Sequence, residues 1–271
     1  GLMVQSGDGD FRVPVAVVAT AAEVPEPDLV LVAVKSYDTE AVAATLRHLR
    51  GGRATVLSLQ NGIDNEAVLA RAVGDEAVLP GIAYIAAERV APNVIRHQAA
   101  GRVAIGESTR VATPRLEWVA EAFTGAGVPC MVSPDIWRDK WAKLVWNATF
   151  NVVSVLTQAT LDRLAADAEA KRVLDAAMAE VAAVAQAEGH ALGDEVIHQA
   201  WQLTRALGPA RTSMLQDLDA GRPLELDALT GAVLRRARQR GIPTPVLDAL
   251  YACARFRSQP APAGADPVAS A

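Results

Sequence analysis

Residues 28–49 read DLVLVAVKSYDTEAVAATLRHL. Leu29 to Val34 are apolar without alternation, which is the pattern of a strand covered on both faces by helices. A short polar break follows at Lys35, and DTEAVAATLRHL then carries a helical pattern. The same grammar recurs at residues 54–73, where ATVLSL, the loop QNGI and the helix-like DNEAVLARAV stand in that order. Strand, loop and helix, taken twice, predict a parallel α/β sheet. Further β-type runs stand at FRVPVAVVA (11–19), AVLPGIAYIAAERV (77–90), NVIRHQ (93–98) and GRVAIGE (101–107). GDGD at 7–10 sits between extended segments and reads as a hairpin turn rather than a phosphate loop.

The pattern changes after Pro134. Long helical segments follow at 136–150, 164–189, 194–207, 224–240 and 245–256, separated by Gly189, Gly193, Gly208-Pro209 and Gly241-Ile242-Pro243. The expected organisation is a sheet domain over 1–133, a helical domain over 134–258 and a disordered low-complexity tail over 259–271.

Composition narrows the function classes. The 271 residues are 51% hydrophobic and 21% charged, enough apolar surface to bury a core in each of two domains. A net charge of −5 supplies no general basic field for nucleic acid. The chain contains no apolar run of about 20 residues that could span a membrane. It opens on no signal-peptide pattern, and a cytoplasmic location is expected. Cys130 and Cys253 lack metal or redox spacing and are expected to be small buried hydrophobes. His48, His97, His190 and His198 pair with nothing in a metal-ligand spacing, so no metal is expected. A serine-hydrolase elbow and a P-loop are also missing.

The residues that can carry chemistry fall in three places. In parallel α/β sheets ligands bind beyond the carboxyl ends of strands. Lys35 follows the strand at 29–34, and Asn61 follows the one at 54–59. Each reads either as a ligand residue or as an ordinary loop residue. In KLVWNATFN, residues 143–151, Lys143, Asn147 and Asn151 stand four apart and share one helical stripe. That stripe faces either a ligand or a polar neighbouring helix, and Lys140 nearly shares it. Downstream, Ser213, Asp217 and Asp227 flank Glu225, which looks like the first turn of a helix. RRARQR at 235–240 reads as a solvated cationic helix end.

Together LVAVKSYDTEA (31–41), SLQNGIDNE (58–66), WAKLVWNATFN (141–151), SMLQD (213–217) with a later glutamate, and GIPTP (241–245) resemble the 2-dehydropantoate 2-reductase (ketopantoate reductase) family over residues 1–255. The resemblance implies a Rossmann-like parallel-sheet domain, truncated at its start. An all-helical C-terminal domain of the 6-phosphogluconate-dehydrogenase-like type would follow it. It implies NADPH-dependent reduction of ketopantoate to (R)-pantoate in the pathway to coenzyme A. The family's catalytic lysine matches Lys143, not Lys140. Its substrate-binding residues match Asn147, Asn151, Ser213 and Glu225, and its cofactor-side residues match Lys35 and Asn61. A small 2-oxo acid as substrate and a homodimer through the helical domain are implied too. The family's opening G-x-G-x-x-G/A loop has no counterpart here, so NADPH turnover by this chain is expected to be poor. Thr230 stands where family members often carry asparagine, and is expected to alter a substrate-side hydrogen bond. Two other readings stay open: a paralogue acting on another 2-oxo acid or ketone, and a non-catalytic helical dimerisation module.

Overall fold

The structure, a computed structural model, describes residues 1–24 and 26–259. Gln259 aside, the expected tail lies outside the described residues. The chain packs as two compact units, Gly1–Trp141 and the residues from Ala142 onward.

The first unit is built on β1 (Leu2–Ser6), β2 (Phe11–Val13), β3 (Leu29–Val32), β4 (Thr55–Ser58), β5 (Val78–Ala91), β6 (Val94–Ile105) and β7 (Cys130–Val132). Its strand order is β2-β1-β6-β5-β4-β3, with β7 beside β6. The strand–helix alternation delivers the parallel stretch β3-β4-β5, where Leu29 pairs with Thr55 and Val56 with Val78. The sheet as a whole is mixed. β5 and β6 form a long antiparallel hairpin, while β1 and β7 join β6 in parallel. GDGD does turn a hairpin, and β1 pairs antiparallel with β2. FRVPVAVVA yields only the three residues of β2, and Pro14 removes the next ladder donor.

NVIRHQ and GRVAIGE are one strand rather than two. Between them Ala100 and Gly101 take φ of 61° and 117°, and the register slips, so that Tyr84 faces Arg102 while Ile85 faces Ala100. A bulge there consumes one residue and breaks the alternation that a continuous strand would show. The turn between β5 and β6 suits its sequence. Pro92 fixes the first φ and Asn93 accepts a φ of 61°, as a type II turn needs.

Helices α1 (Thr39–Thr45), α2 (Asn65–Val73) and α3 (Pro114–Gly125) cover the sheet. Alternation along β4 sends Val56 into one layer with Val32, Ala43, Leu46, Leu69 and Val73. It sends Leu57 into the other, with Leu79, Ile105, Leu116 and Val119. β3 departs from the expected two-sided cover, since Leu31 is 50% exposed. It ends the strand order and has β4 on one side only.

The helix α4 (Ile136–Thr157) starts in the first unit, where Ile136 packs with Ile82 and Ala104, and continues into the second. The second unit adds α5 (Leu161–Ala166), α6 (Ala168–Ala187), α7 (Glu195–Leu207), α8 (Ser213–Asp219), α9 (Thr230–Arg240) and α10 (Pro245–Arg257). α6 buries Leu174, Ala177, Met178, Val181, Val184 and Ala185, the spacing of one helical face. The cations of RRARQR are more engaged than a solvated end. Arg240 and Arg236 reach Glu188 at 2.6 and 3.5 Å, and Arg238 reaches Asp248 at 2.8 Å. Cys253 is exposed rather than buried, because α10 turns Leu247 and Ala254 inward instead. Cys130 is half-buried, and burial pushes its thiol pKa up.

Candidate active site

In the first unit, Lys35 stands in the loop after β3 and Asn61 in the loop after β4. Both side chains are half-buried. Lys35 holds extended backbone, φ −62° and ψ 147°, directly before a short 3₁₀ turn at Ser36–Asp38. The two loops touch, with the Ser36 hydroxyl donating to the Asn61 carbonyl at 3.1 Å. Buried Asn65, the first residue of α2, donates to the same carbonyl at 2.7 Å and accepts from Thr39 at 2.9 Å. Gln60 donates to Thr39 Oγ1 at 2.7 Å and to Val34 O at 3.0 Å. These three side chains had only ordinary loop and cap signals in the sequence.

Lys140 is settled by its surroundings. Its Nζ lies 2.6 Å from Glu66 Oε1 and 3.2 Å from Gly81 O, with side chains 2% and 4% exposed. The pair clamps the start of α4 to α2 and β5 inside the first unit. It accounts for the full charge of Lys140 without any ligand.

In the second unit, α4 presents Lys143, Asn147 and Asn151 along one stripe, as their spacing predicts. Lys143 is half-buried, Asn147 is buried, and Asn151 is 1% exposed. The Oδ1 of Asn151 is buried without a hydrogen-bond partner. A buried carbonyl left unpaired costs about 1–3 kcal/mol.

The elements carrying the downstream residues are fastened to α4. Ser154, one turn past Asn151, meets Thr212 at 2.6 Å, and Thr212 caps α8 by accepting from Leu215 N at 3.2 Å. That contact fixes Ser213, the exposed first residue of α8. Thr230, the first residue of α9, donates its buried hydroxyl to Ala148 O at 2.7 Å. The hydroxyl that stands at position 230 is thus engaged by the α4 backbone. Glu225 is buried but is not in a first helical turn. Leu229, at φ −98° and ψ −87°, keeps the preceding turn out of α9, so Glu225 stands five residues ahead of the helix. Asp217, the other buried carboxylate nearby, is paired with Arg222 at 2.8 Å.

Among the described residues, no group of three or more His, Cys, Asp or Glu side chains is placed to hold a metal ion. Nor is any described helix long and apolar enough to cross a membrane.

The family model described as "Ketopantoate reductase PanE/ApbA" matches residues 1–110, and "Ketopantoate reductase PanE/ApbA C terminal" matches residues 135–258. The 2-dehydropantoate 2-reductase of Halobacterium salinarum is 38% identical over 251 residues, 92% of this chain and 82% of that protein. The crystal structure of 2-dehydropantoate 2-reductase from Geobacter metallireducens GS-15 superposes with a TM-score of 0.89 at 34% identity. That match covers 94% of this chain and 86% of the other. A ternary structure of D-mandelate dehydrogenase with NADH and anilino(oxo)acetate shares the fold at a TM-score of 0.88 and 22% identity, covering 95% and 85% of the two chains.

Proposed function

The chain belongs to the ketopantoate reductase family of NAD(P)-dependent oxidoreductases, and from that premise we propose that it reduces 2-dehydropantoate to (R)-pantoate with NADPH, using Lys143 as the general acid. The observation that carries this reading is the α4 stripe. Asn151 keeps a buried oxygen unpaired, on the same stripe as Lys143 and Asn147. Lys140, the competing lysine, is spent on Glu66.

The residues at the β3 and β4 ends fit the nicotinamide side of a dinucleotide. A cation and a carboxamide emerge where parallel strands end, on loops tied to each other. When bound, NADPH supplies the hydride for the substrate carbonyl carbon. Negative charge then grows on the carbonyl oxygen, and the Lys143 ammonium stabilises it and passes one proton to it, giving the hydroxyl. Asn147 and Asn151 orient lysine and substrate without adding negative charge. Ser213 donates to the substrate carboxylate, and Glu225 accepts from the substrate hydroxyl. Lys35 and Asn61 would hold the nicotinamide.

NADPH oxidation measured with 2-dehydropantoate, and with a panel of other 2-oxo acids, tests the reading. Lys143→Ala is expected to lower kcat by about 10²–10⁴-fold while leaving thermal unfolding in place. Wild-type kcat in that variant, or a stronger preference for another 2-oxo acid, would refute the assignment.

A further inference from the structure

We propose that Asn65 and Thr39 are positioning residues that lock the loop bearing Asn61 onto the loop bearing Lys35, and so set the nicotinamide side of the site. The inference rests on the reading of Lys35 and Asn61 given above.

Both side chains are buried, Asn65 4% and Thr39 1% exposed, and both stand at the first residue of a helix that leaves one of the two loops. Asn65 Nδ2 spends its two hydrogens on Asn61 O at 2.7 Å and Ser36 Oγ at 3.4 Å. Asn65 Oδ1 accepts the Thr39 hydroxyl at 2.9 Å. Thr39 Oγ1 in turn accepts from Gln60 Nε2 at 2.7 Å, and the second Gln60 hydrogen goes to Val34 O at 3.0 Å. Ser36 gives its own proton to Asn61 O at 3.1 Å. The side-chain donor hydrogens of these four residues thus each find an acceptor, while Gln60 Oε1 is buried without a partner.

The placement is what makes the network a lock. Its bonds end on Val34 and Ser36, the neighbours of Lys35 on either side. They also end on Asn61 itself, while Gln60 precedes it in the chain. Thr39 is the hub: without its hydroxyl, Gln60 Nε2 loses an acceptor and Asn65 Oδ1 loses a donor in a region closed to water. Once these bonds are gone, the loop backbone can sample positions in which Asn61 no longer meets the dinucleotide. Packing alone does not predict such a response, because valine fills the same volume as threonine.

Four variants of the full chain, the Asn61→Ala single variant among them, test the lock by NADPH titration and amide hydrogen exchange. Thr39→Val is expected to weaken NADPH binding about tenfold, whereas Thr39→Ser, which restores the hydroxyl, binds within about twofold of wild type. Asn61→Ala combined with Thr39→Val is expected to bind no worse than Asn61→Ala alone, since the lock acts through Asn61. Losses that multiply, or a Thr39→Ser as weak as Thr39→Val, would overturn the proposal in favour of plain core packing. Should the wild-type protein bind no NADPH, the proposed function falls, and exchange of the Gly62–Asp64 amides decides the lock by itself. Exchange about tenfold faster in Thr39→Val but not in Thr39→Ser would support it. Equal protection in all three proteins would overturn it.

Discussion

Replacing Lys140 by methionine isolates the energetic role of the buried pair. Lys140 Nζ and Glu66 Oε1 are 2.6 Å apart with side chains 2% and 4% exposed. At an effective dielectric of about 20, two unit charges at that distance attract by about 6 kcal/mol. Dehydrating both ions consumes most of that gain, so the pair as a whole contributes little net stability. Losing one partner is a different matter. Lys140→Met leaves the Glu66 carboxylate buried with Oε1 newly unpaired beside an Oε2 that has no partner already. The expected cost is about 3–5 kcal/mol. Lys140→Met with Glu66→Met removes both charges, and is expected to recover all but about 1–2 kcal/mol. Lys143→Met, at a half-buried position, is expected to cost about 1 kcal/mol or less. Urea unfolding followed by circular dichroism measures all three variants. If Lys140→Met costs no more than Lys143→Met, or the double variant is worse than Lys140→Met, the assignment of Lys140 to stability fails.

Two further outcomes follow from the first unit. A Cβ at Gly106 would lie 2.8 Å from Ser133 O and 2.9 Å from Ile136 Cβ, and neither atom can swing away. Gly106→Ala is therefore expected to cost about 1–3 kcal/mol, visible as a drop in Tm of several degrees, and an unchanged Tm would count against the close approach of β6 to α4. Burial alone would raise the pKa of Glu107. The hydrogen bonds from Arg115, at 2.7 and 2.6 Å, and from Thr113, together with the Arg115 charge, outweigh it and hold the carboxyl below its ordinary 4.5. A folded-state pKa below the unfolded one means stability that is present above pH 4.5 and lost as the pH falls through the folded value. The stability gap between wild type and Glu107→Gln should accordingly shrink in acid denaturation series below that point. A gap that widens there would reverse the sign.

What the sequence made legible follows from the range of each signal. The β3–α1 and β4–α2 units could be read because apolar runs and helical periods are local. α3 was readable in principle, since Thr113-Pro114 supplies a cap and a first-position proline ahead of buried Leu116 and Val119. β7 was not, as its three residues include exposed Met131 and Val132, which carry no pattern. The apolar residues of LELDAL predict a helix that would include Glu225. The torsions of Leu229 break that helix, and nothing in the residue type announces them. Asn65, Thr39 and Gln60 were invisible as a group for another reason. Each is a common loop or cap residue, and only the sheet brings positions 21 to 26 residues apart into hydrogen-bond range.

The two lysines of α4 show where periodicity stops deciding. Three residues advance about 300° around a helix and four advance about 400°, so Lys140 points about 60° away from Lys143, while Asn147 and Asn151 drift only about 40° per step. That offset is small enough for sequence spacing to leave both lysines as candidates. Their partners separate them. Glu66 lies 74 positions upstream of Lys140, and no pattern within α4 reveals it. The chain passes from its first unit to its second between Trp141 and Ala142, one residue past the ion-paired lysine and one before the half-buried one. Lys140 thus belongs wholly to the packing of the first unit, and Lys143 opens the polar stripe of the second. A lysine whose charge is already matched inside the fold has little left to give a substrate. The same residue type one turn on is half-buried and heads the stripe that carries Asn147 and Asn151, which is where the proposed reading places the substrate.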